Sequence, residues 1–250
     1  MRTYLFLCLV SLTFLFSCKK KNPDPIPVVN YLQINMLPFY SNNGNTELIL
    51  DSLYTTPEGY RVKFTDIKCY FTLLRNGSSE LTQAAYFDFR EKGKQLLHME
   101  GDYLKFPSLQ GIIGVDTSLN HDDPSTFSND SPLNISNAGT MHWGWNPGYI
   151  FISIEGKADT LINGIDNLDL SFSYHIGTDS YLNAFSFSSL NWTDIGNNTH
   201  LSQWKLNMYN FLHGSNPVDL KTEYLTHSGA GQQNLTQKIT NNFSQSIIPF

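Results

Sequence analysis

From Tyr31 onward, the chain consists of short apolar or alternating runs that are separated by Gly, Asn, Asp, Ser and Pro. This pattern is typical of an all-β domain, because such runs suit strands and the residues between them favour turns. About 200 residues of this kind can bury the core of one sizeable domain. The sequence therefore predicts an all-β fold, a single β-sandwich domain with long loops. Strands are predicted at Tyr31–Leu37, Thr46–Ser52, Gly59–Leu74, Tyr86–Phe89, Gly101–Gly114, Tyr149–Glu155, Asp169–Ile176, Ala184–Leu190 and Gln203–Leu212.

The strand predicted at Asp169–Ile176, with the sequence DLSFSYHI, gives the clearest prediction of side-chain direction. Successive side chains of a strand point to opposite faces of the sheet. One face carries Leu170, Phe172, Tyr174 and Ile176, and the other carries Ser171, Ser173 and His175. His175 is therefore predicted to lie on the polar face of this strand.

Two regions do not follow a strand pattern. The segment Asp116–Thr140 is a long connection rich in Asp, Asn, Ser and Pro, and loops of this length in compact domains are usually functional or disordered. Near the end of the chain, Leu235, Ile239 and Phe243 recur at four-residue spacing. This spacing predicts a short C-terminal helix that packs on the sandwich.

The first residues predict export and a lipid anchor. The apolar run Tyr4–Phe16 is too short to span a bilayer, and it leads into Leu15-Phe16-Ser17-Cys18, which has the form of a bacterial lipobox. An ordinary signal peptide that is cleaved elsewhere and a single membrane anchor are the alternatives. In the lipobox interpretation, Cys18 becomes the lipidated first residue of the mature protein.

This interpretation divides the chain into three parts. Residues 1–17 are a lipoprotein signal peptide, residues 18–30 are a lipidated, Pro-rich tether, and residues 31–250 form the β-sandwich domain. We expect the protein to be anchored by lipid outside the cytoplasm of a Gram-negative bacterium, in the outer membrane on its periplasmic or surface face. Of the mature cysteines only Cys69 is then a free thiol, so no intrachain disulfide can form.

Charge and short motifs exclude several classes of function. The formal net charge is −6 at pH 7, which argues against nucleic acid as a partner. The chain contains no G-x-S-x-G, H-E-x-x-H or C-x-x-C sequence, and Gly229-Ala230-Gly231 continues to Asn234 where a dinucleotide motif needs Gly or Ala. We therefore expect the protein not to be an enzyme.

The segment Thr140–Phe151, with the sequence TMHWGWNPGYIF, concentrates side chains that can bind a metal. It combines the thioether of Met141, the imidazole of His142 and the indoles of Trp143 and Trp145. In an extended strand, Met141, Trp143 and Trp145 face one way and His142 the other, so a shared site needs a bend. Gly144 can supply that bend, because glycine in a strand often marks a bulge. Alternatively, the tryptophans simply fill the core.

Two further histidines occur in loop or polar-face positions, His121 in SLNHDDP and His175 in FSYHIG. Any one of the three histidines alone is better explained as a hydrogen-bonded structural residue. Together with Met141, and without a thiolate, they suit copper better than calcium or magnesium, which prefer oxygen ligands. Ligand type does not exclude zinc.

Several motifs that occur in order along the chain resemble the MbnP-like copper-binding proteins, a family named for the periplasmic protein of the methanobactin operons. They are Leu119-Asn120-His121, Pro132-Leu133-Asn134, Met141–Trp145 followed by Gly148-Tyr149 and Phe151, and His175-Ile176-Gly177. The earlier run FTDIKCYFTLL is similar to a family strand, although Cys69 and Leu73-Leu74 depart from it. The resemblance covers most of residues 31–212.

The resemblance implies an extracytoplasmic β-sandwich that binds one copper ion, as Cu(I) or Cu(II), for copper acquisition, storage or delivery. It implies His121, His142 and His175 as ligands, with Met141 beside them. It also implies that Trp143 or Trp145 is oxidised to a kynurenine ligand by a di-haem partner of the cytochrome c peroxidase type. Some relatives have four cysteines and an N-terminal His, and this chain lacks both features.

A second hypothesis belongs to a different class. The chain is then a carbohydrate- or partner-binding surface lipoprotein without metal, in which exposed aromatic side chains form a stacking platform. Solvent exposure of Trp192 and Trp204, rather than of Trp143 and Trp145, favours this hypothesis. The two hypotheses therefore predict different positions for the four tryptophans.

Overall fold

Two β-sheets make up most of the computed structural model, which describes residues 29–43, 45–144 and 148–250. The predicted signal peptide, most of the tether with Cys18, and Trp145 lie outside the described residues. The strands are β1 (Tyr31–Phe39), β2 (Tyr54–Thr55), β3 (Arg61–Asn76), β4 (Ser79–Asp88), β5 (Gln95–Glu100), β6 (Leu109–Ile113), β7 (His142–Gly144), β8 (Gly148–Asp159), β9 (Leu170–Gly177), β10 (Asn183–Phe187), β11 (Thr193–Asp194), β12 (Thr199–Asn207), β13 (Leu225–Thr226) and β14 (Ile247–Pro249).

The helices are short, and most of them lie in connections between strands. They are α1 (Phe89–Lys92), α2 (Thr117–Asn120), α3 (Ile135–Ala138), α4 (Met208–His213) and α5 (Gln233–Gln245), with single 3-10 turns at Tyr103–Lys105, Gly139–Met141 and Asp179–Tyr181. Over the residues that the structure describes, no helix has both the length and the apolar character needed to cross a membrane.

The two sheets differ in size and pairing. The smaller has the order β11-β12-β1-β5, with β14 also paired to β12, and its central pair β1–β12 is parallel. The larger has the order β10-β6-β3-β8-β9-β13, and in addition β2 and β4 pair with β3 while β7 pairs with β8. The β3–β8 and β8–β9 pairs are antiparallel and form the middle of the larger sheet.

The core lies between the two sheets. Trp204 of β12 is fully buried, and its ring meets Phe71 of β3 with a centroid distance of 5.6 Å and Phe187 of β10 at 5.1 Å. These contacts join a strand of the smaller sheet to two strands of the larger sheet. The predicted all-β sandwich is therefore confirmed.

The predicted faces of β9 are also confirmed. Phe172, Tyr174 and Ile176 are buried, whereas Ser173 and His175 are only partly buried and lie on the opposite face. The predicted strand differs from β9 by one residue at each end. Alternation of apolar and polar residues located this strand correctly because its period of two is a local property of the chain.

The predicted C-terminal helix is α5. Ile239 and Phe243 are fully buried, and the ring of Phe243 meets that of Phe211 in α4 edge to face at a centroid distance of 6.4 Å. Helix α5 also contacts β9 and β10 of the larger sheet. It therefore covers one part of the sandwich, as its four-residue spacing predicts.

Some strand predictions were wrong. Thr46–Ser52 is not a strand and makes only an isolated bridge between Glu47 and Phe39. Asp51 in this segment has a φ of 64°, a left-handed conformation that interrupts an extended chain. The strand Gln95–Glu100 was missed by the sequence reasoning, although it forms the edge of the smaller sheet.

Two other predicted strands included residues that form helical turns, because capping residues were not recognised; Gln203–Leu212 also began four residues after the true start of β12 at Thr199. In the predicted strand Gly101–Gly114, the side chain of Asp102 accepts a hydrogen bond from Leu104 N and starts a 3-10 turn. In the predicted strand Gln203–Leu212, Asn207 accepts from Asn210 N and starts α4. Such side-chain acceptors satisfy free backbone N–H groups and favour helical turns.

Candidate metal site

Three of the motifs meet where β8 begins and β9 ends. We call this region the motif end, and define it by Asn120, His121, Trp143, Gly148 and Asp179. It is assembled from α2, from the hairpin of β7 and β8, and from the turn that follows β9. The residues that form it are far apart along the chain, so only the fold brings them together.

Asn120 connects these segments. Its side chain is buried, its Oδ1 accepts a hydrogen bond from Tyr149 N at 2.9 Å, and its Nδ2 donates to Asp179 Oδ1 at 2.9 Å. Gly148 makes this arrangement possible, because a Cβ at that position would overlap the side-chain oxygen of Asn120, and its φ is 74°. The Leu119-Asn120-His121 motif is therefore fixed against the start of β8 and the turn that follows β9.

His121 is the C-terminal cap of α2, and its ring faces the same carboxylate. His121 Nε2 lies 3.0 Å from Asp179 Oδ2, and about half of the His121 side chain is exposed. Burial of Asp179 raises the pKa of its carboxyl, but hydrogen bonds from Asn120 and His121 outweigh that effect and leave the pKa below its ordinary value. The carboxylate of Asp179 is therefore ionised near neutral pH.

The Pro132-Leu133-Asn134 motif supports the loop that precedes β7. The hydroxyl of Tyr70 donates to Pro132 O at 3.2 Å, and the buried hydroxyl of Tyr149 donates to Leu133 O. Asn134 caps α3 by accepting a hydrogen bond from Ser136 N at 3.0 Å. This motif positions backbone rather than offering a side chain to a ligand.

The bend predicted at Gly144 is confirmed. Gly144 has a φ of 125°, and the pairing of β7 with β8 shifts register between His142 and Gly144. Met141 is buried and belongs to the hydrophobic core. Its thioether therefore packs among apolar side chains, whereas the residues that follow it are partly exposed.

The imidazole of His142 packs edge to face on the ring of Tyr149, with a centroid distance of 4.7 Å. Its Nδ1 accepts a hydrogen bond from Gly144 N at 3.2 Å. Burial lowers the pKa of His142, because the charged form loses solvation. His142 is therefore neutral near pH 7, which is the form that binds metals.

Trp143 lies against the end of β9. A Cβ added to Gly177 would lie 2.5 Å from Trp143 Cζ3, so glycine is needed for this close approach. The indole is partly buried and packs against the core. Trp145, the other candidate for oxidation, lies outside the described residues.

His175 has partners of its own on the outer face of β9. Its Nε2 lies 2.8 Å from Glu155 Oε1 and 3.2 Å from Ser173 Oγ. Its ring stacks on that of His227, with a centroid distance of 4.8 Å and an interplanar angle of 13°. Ser228 ties this region together, because its hydroxyl accepts from Gly177 N and donates to His175 O.

The structure therefore brings the motifs together without assembling a ready-made ligand set. Across residues 29–43, 45–144 and 148–250, no group of three or more His, Cys, Asp or Glu side chains is arranged to hold a metal ion. In donor type the residues fit copper, since the candidates are imidazoles and one thioether. The assignment of His121, His142, His175, Met141, Trp143 and Trp145 as ligands stays a prediction.

The tryptophans named by the second hypothesis do not form a platform. Trp204 is fully buried between the sheets. Trp192 is partly buried and donates its Nε1–H to Phe106 O at 2.8 Å. An open groove of about 930 Å³ lies between the edge strands β4 and β5 and the loop 128–137, but none of the five candidate ligands that the structure describes lines it.

Sequence reasoning missed the carboxylates that face two of the histidines, and it missed His227. Asp179 follows the His175-Ile176-Gly177 motif by only two residues, and a polar residue directly after a strand end was a usable signal. Glu155 of β8 pairs with Ser173 of β9, which lies two residues before His175 on the same face of the strand, so only the strand pairing reveals it. His227 gave no signal, because a parallel pairing of β13 with β9 brings it to His175.

Comparisons with known proteins give two similarities. The sequence model of the MbnP family matches residues 31–233, a range that contains all six candidate ligands. Among solved structures, the chain is similar to MbnP from Methylosinus trichosporium, with 12% sequence identity, a TM-score of 0.46, and coverage of 76% of this chain and 79% of that chain. A comparison with curated proteins finds no match.

Proposed function

The chain belongs to the MbnP family, and from that premise we propose that it is an extracytoplasmic lipoprotein that binds one copper ion for acquisition, storage or delivery. The resemblance inferred from the sequence motifs is thereby confirmed at the level of the family. Copper, the lipid anchor and the physiological role are the parts that belong to the proposal.

The observation that carries the proposal is the convergence of three motifs at the motif end. Asn120 of the first motif binds Tyr149 and Asp179, while Trp143 of the second lies on Gly177 of the third. Beside these buried contacts, His121 is about half exposed and Trp143 is partly exposed, so side chains that can bind a ligand remain accessible at the same place. The meeting of the motifs supports a shared ligand, and the imidazoles among them favour a transition metal.

In this proposal, His121, His142 and His175 hold the copper ion, which supplies a redox-active or transferable metal centre when it is bound. His142 is already neutral, as a metal ligand must be. His121 and His175 each carry a carboxylate partner on one ring nitrogen, so the other nitrogen is available to a ligand. Met141 is a weaker candidate than the histidines, because its side chain is buried in the core.

The proposal also includes oxidation of Trp143 or Trp145 to kynurenine. In that reaction the C2–C3 bond of the indole breaks and two oxygen atoms are added from two equivalents of a peroxide oxidant, which is reduced to water; hydrolysis of the N-formyl group then releases C2 as formate. We propose a di-haem protein of the cytochrome c peroxidase type as the partner that provides the oxidising equivalents. The partial exposure of Trp143 at the edge of the sandwich supports access for such a partner.

Copper binding is tested by reconstituting the purified protein with copper and measuring bound metal per chain. We expect about one copper ion per chain in the wild type and a clear loss in His142→Ala. His98→Ala is the matched control, because His98 is exposed on β5 and belongs to none of the motifs. A wild type without copper, together with a His142→Ala variant that behaves like it, contradicts the proposal.

Oxidation of tryptophan is tested separately by the mass of protein isolated from its native cells. Kynurenine gives a net gain of one oxygen and a loss of one carbon, and this change must map to the peptide 140–151. If this peptide is unmodified in cells that have an intact gene for the di-haem partner, the proposed oxidation of tryptophan is contradicted. The same mass measurement reports a lipid on Cys18, which tests the anchor.

A further inference from the structure

We propose that Asp179 is a positioning residue, which holds His121 with its proton on Nε2 and so makes Nδ1 the atom that His121 offers to copper. The inference rests on the proposed function for the identity of the metal. It goes beyond that function by assigning a donor atom and a residue that none of the recognised motifs contains.

The position of the proton follows from the chemistry of the pair. An ionised carboxylate can only accept hydrogen bonds, so the contact of 3.0 Å between Asp179 Oδ2 and His121 Nε2 requires a proton on Nε2. In neutral imidazole the other nitrogen then carries a lone pair. Nδ1 of His121 is therefore the acceptor, and about half of this side chain is exposed.

The carboxylate of Asp179 is itself held firmly. Its other oxygen, Oδ1, accepts from Asn120 Nδ2 at 2.9 Å, and Asn120 is fixed in turn by Tyr149 N. Thr178, directly before Asp179, has a φ of 71°, which is unusual for a β-branched residue. Strained backbone of this kind persists only where the surrounding structure imposes it, and it turns the chain so that Asp179 follows β9 in this direction.

The other two candidate histidines provide a comparison. Glu155 faces Nε2 of His175 at 2.8 Å, so His175 has the same arrangement and also leaves Nδ1 free. His142 also carries its proton on Nε2, but it differs in that its Nδ1 already accepts a hydrogen bond from Gly144 N at 3.2 Å. Carboxylates that hold the far nitrogen of a ligating imidazole set its tautomer and orientation, and losing one typically weakens metal binding by about 10–100-fold.

The first experiment needs no metal. Long-range proton–nitrogen NMR correlations of the copper-free full chain, recorded above the ordinary imidazole pKa, report which nitrogen of each imidazole carries the proton. We expect His121 to carry it on Nε2 in the wild type. A proton on Nδ1 of His121 overturns the proposal without any variant.

The second experiment measures Cu(I) affinity by competition with a chelator. We expect Asp179→Asn to weaken copper binding by about 10–100-fold and to mix the His121 tautomers. Asp116→Asn is the matched control, because Asp116 lies on the same side of the site, just before α2, and its Oδ1 accepts from Ser118 N, a cap that the asparagine side-chain oxygen can keep. That control is expected to leave both the copper affinity and the tautomer unchanged.

The outcomes separate the two proposals. Copper affinity that is equal in Asp179→Asn and wild type overturns the role of Asp179 while the copper function stands. A wild type with the expected tautomer that binds no copper overturns the proposed function, and with it Nδ1 as a copper donor. Weakening in Asp179→Asn but not in Asp116→Asn, with the tautomer change at His121, supports both.

Discussion

At the motif end, the side chain of Asn120 binds partners that lie 29 and 59 positions away from it along the chain. At the opposite end of β8 and β9, the side chain of Asp159 binds partners that lie only 2 and 8 positions away. We call the second region the loop end and define it by residues 160–169. Asp159 accepts hydrogen bonds there from Leu161 N and Asn167 N, both at 2.8 Å. Both ends therefore use one buried polar side chain to fix a connection.

The two ends differ in how much of the protein must be folded before each connection can form. The loop end closes on itself and needs little beyond the end of β8. The motif end exists only after α2, β8 and β9 have docked, so its geometry depends on the whole sandwich. Contacts between distant residues are ordered at a larger entropic cost than local ones, so a site of this kind is coupled to global stability.

Two glycines with left-handed backbone should show the largest difference between the ends. Gly148→Ala is expected to destabilise the protein by about 3 kcal/mol, since a positive φ is unfavourable for alanine and the new methyl group overlaps Asn120. Gly164 has a similar φ of 79° but no atom within 4 Å of an added Cβ, so Gly164→Ala should cost only about 1–2 kcal/mol. Urea unfolding measures both, and equal losses contradict the account.

The next largest effect concerns the two asparagines that fix turns. Asn120→Ala leaves a buried backbone N–H and a carboxylate without their partner, so we expect a loss of about 2–3 kcal/mol. Asn163→Ala removes only an exposed local contact to Ile165 N and should cost about 0.5 kcal/mol. Thermal unfolding measures the loss of unfolding free energy in each variant. A loss in Asn163→Ala as large as that in Asn120→Ala contradicts the difference between the two ends.

Acid should weaken the loop end through Asp159. Hydrogen bonds from Asn167 N and Leu161 N hold the pKa of its carboxyl below the ordinary value of 3.8. Because the folded-state pKa is lowered, the stability that this carboxylate contributes is present above pH 3.8 and is lost as the pH falls through the folded-state pKa. The unfolding free energies of wild type and Asp159→Asn should therefore converge in acid, and a gap that stays constant with pH contradicts this assignment.

The smallest effect is expected at the apolar tip of the loop end. Ile165 is 69% exposed, so Ile165→Thr should change the unfolding free energy by no more than about 0.5 kcal/mol. Calorimetry can compare this variant with Ile176→Thr, which places a hydroxyl in the fully buried core and should be clearly destabilising. A loss at Ile165 as large as that at Ile176 contradicts the account, because it requires Ile165 to be buried in solution.

The sequence predicted features that depend on local contacts better than features that depend on contacts between distant residues. The faces of β9 and the presence of α5 were correct, because periods of two and of about four residues are visible in a short stretch. The bend at Gly144 was also correct, because a glycine within a strand pattern is itself a local signal of a bulge. The strand predicted at Thr46–Ser52 was wrong, because its apolar residues Ile49 and Leu50 sit in turns around a left-handed Asp51.

The site was predicted only in part. The motifs propose His121, His142, His175 and Trp143 as ligands, which stays a prediction, and the fold brings their segments together. Asp179 was missed because its two partners, Asn120 and His121, lie 59 and 58 positions away. The place of Asp179 just after β9 was a usable signal for a polar residue at this end of the sheet, but its pairing with His121 arises only when the end of β9 meets α2.

The central claim, that copper binds at the motif end, is tested most directly by anomalous scattering at the copper absorption edge from crystals of the copper-loaded protein. The account predicts one strong peak within bonding distance of an imidazole nitrogen of His121, His142 or His175. A peak at His98 or His200 instead, or no peak in a protein that has been loaded with copper, contradicts it.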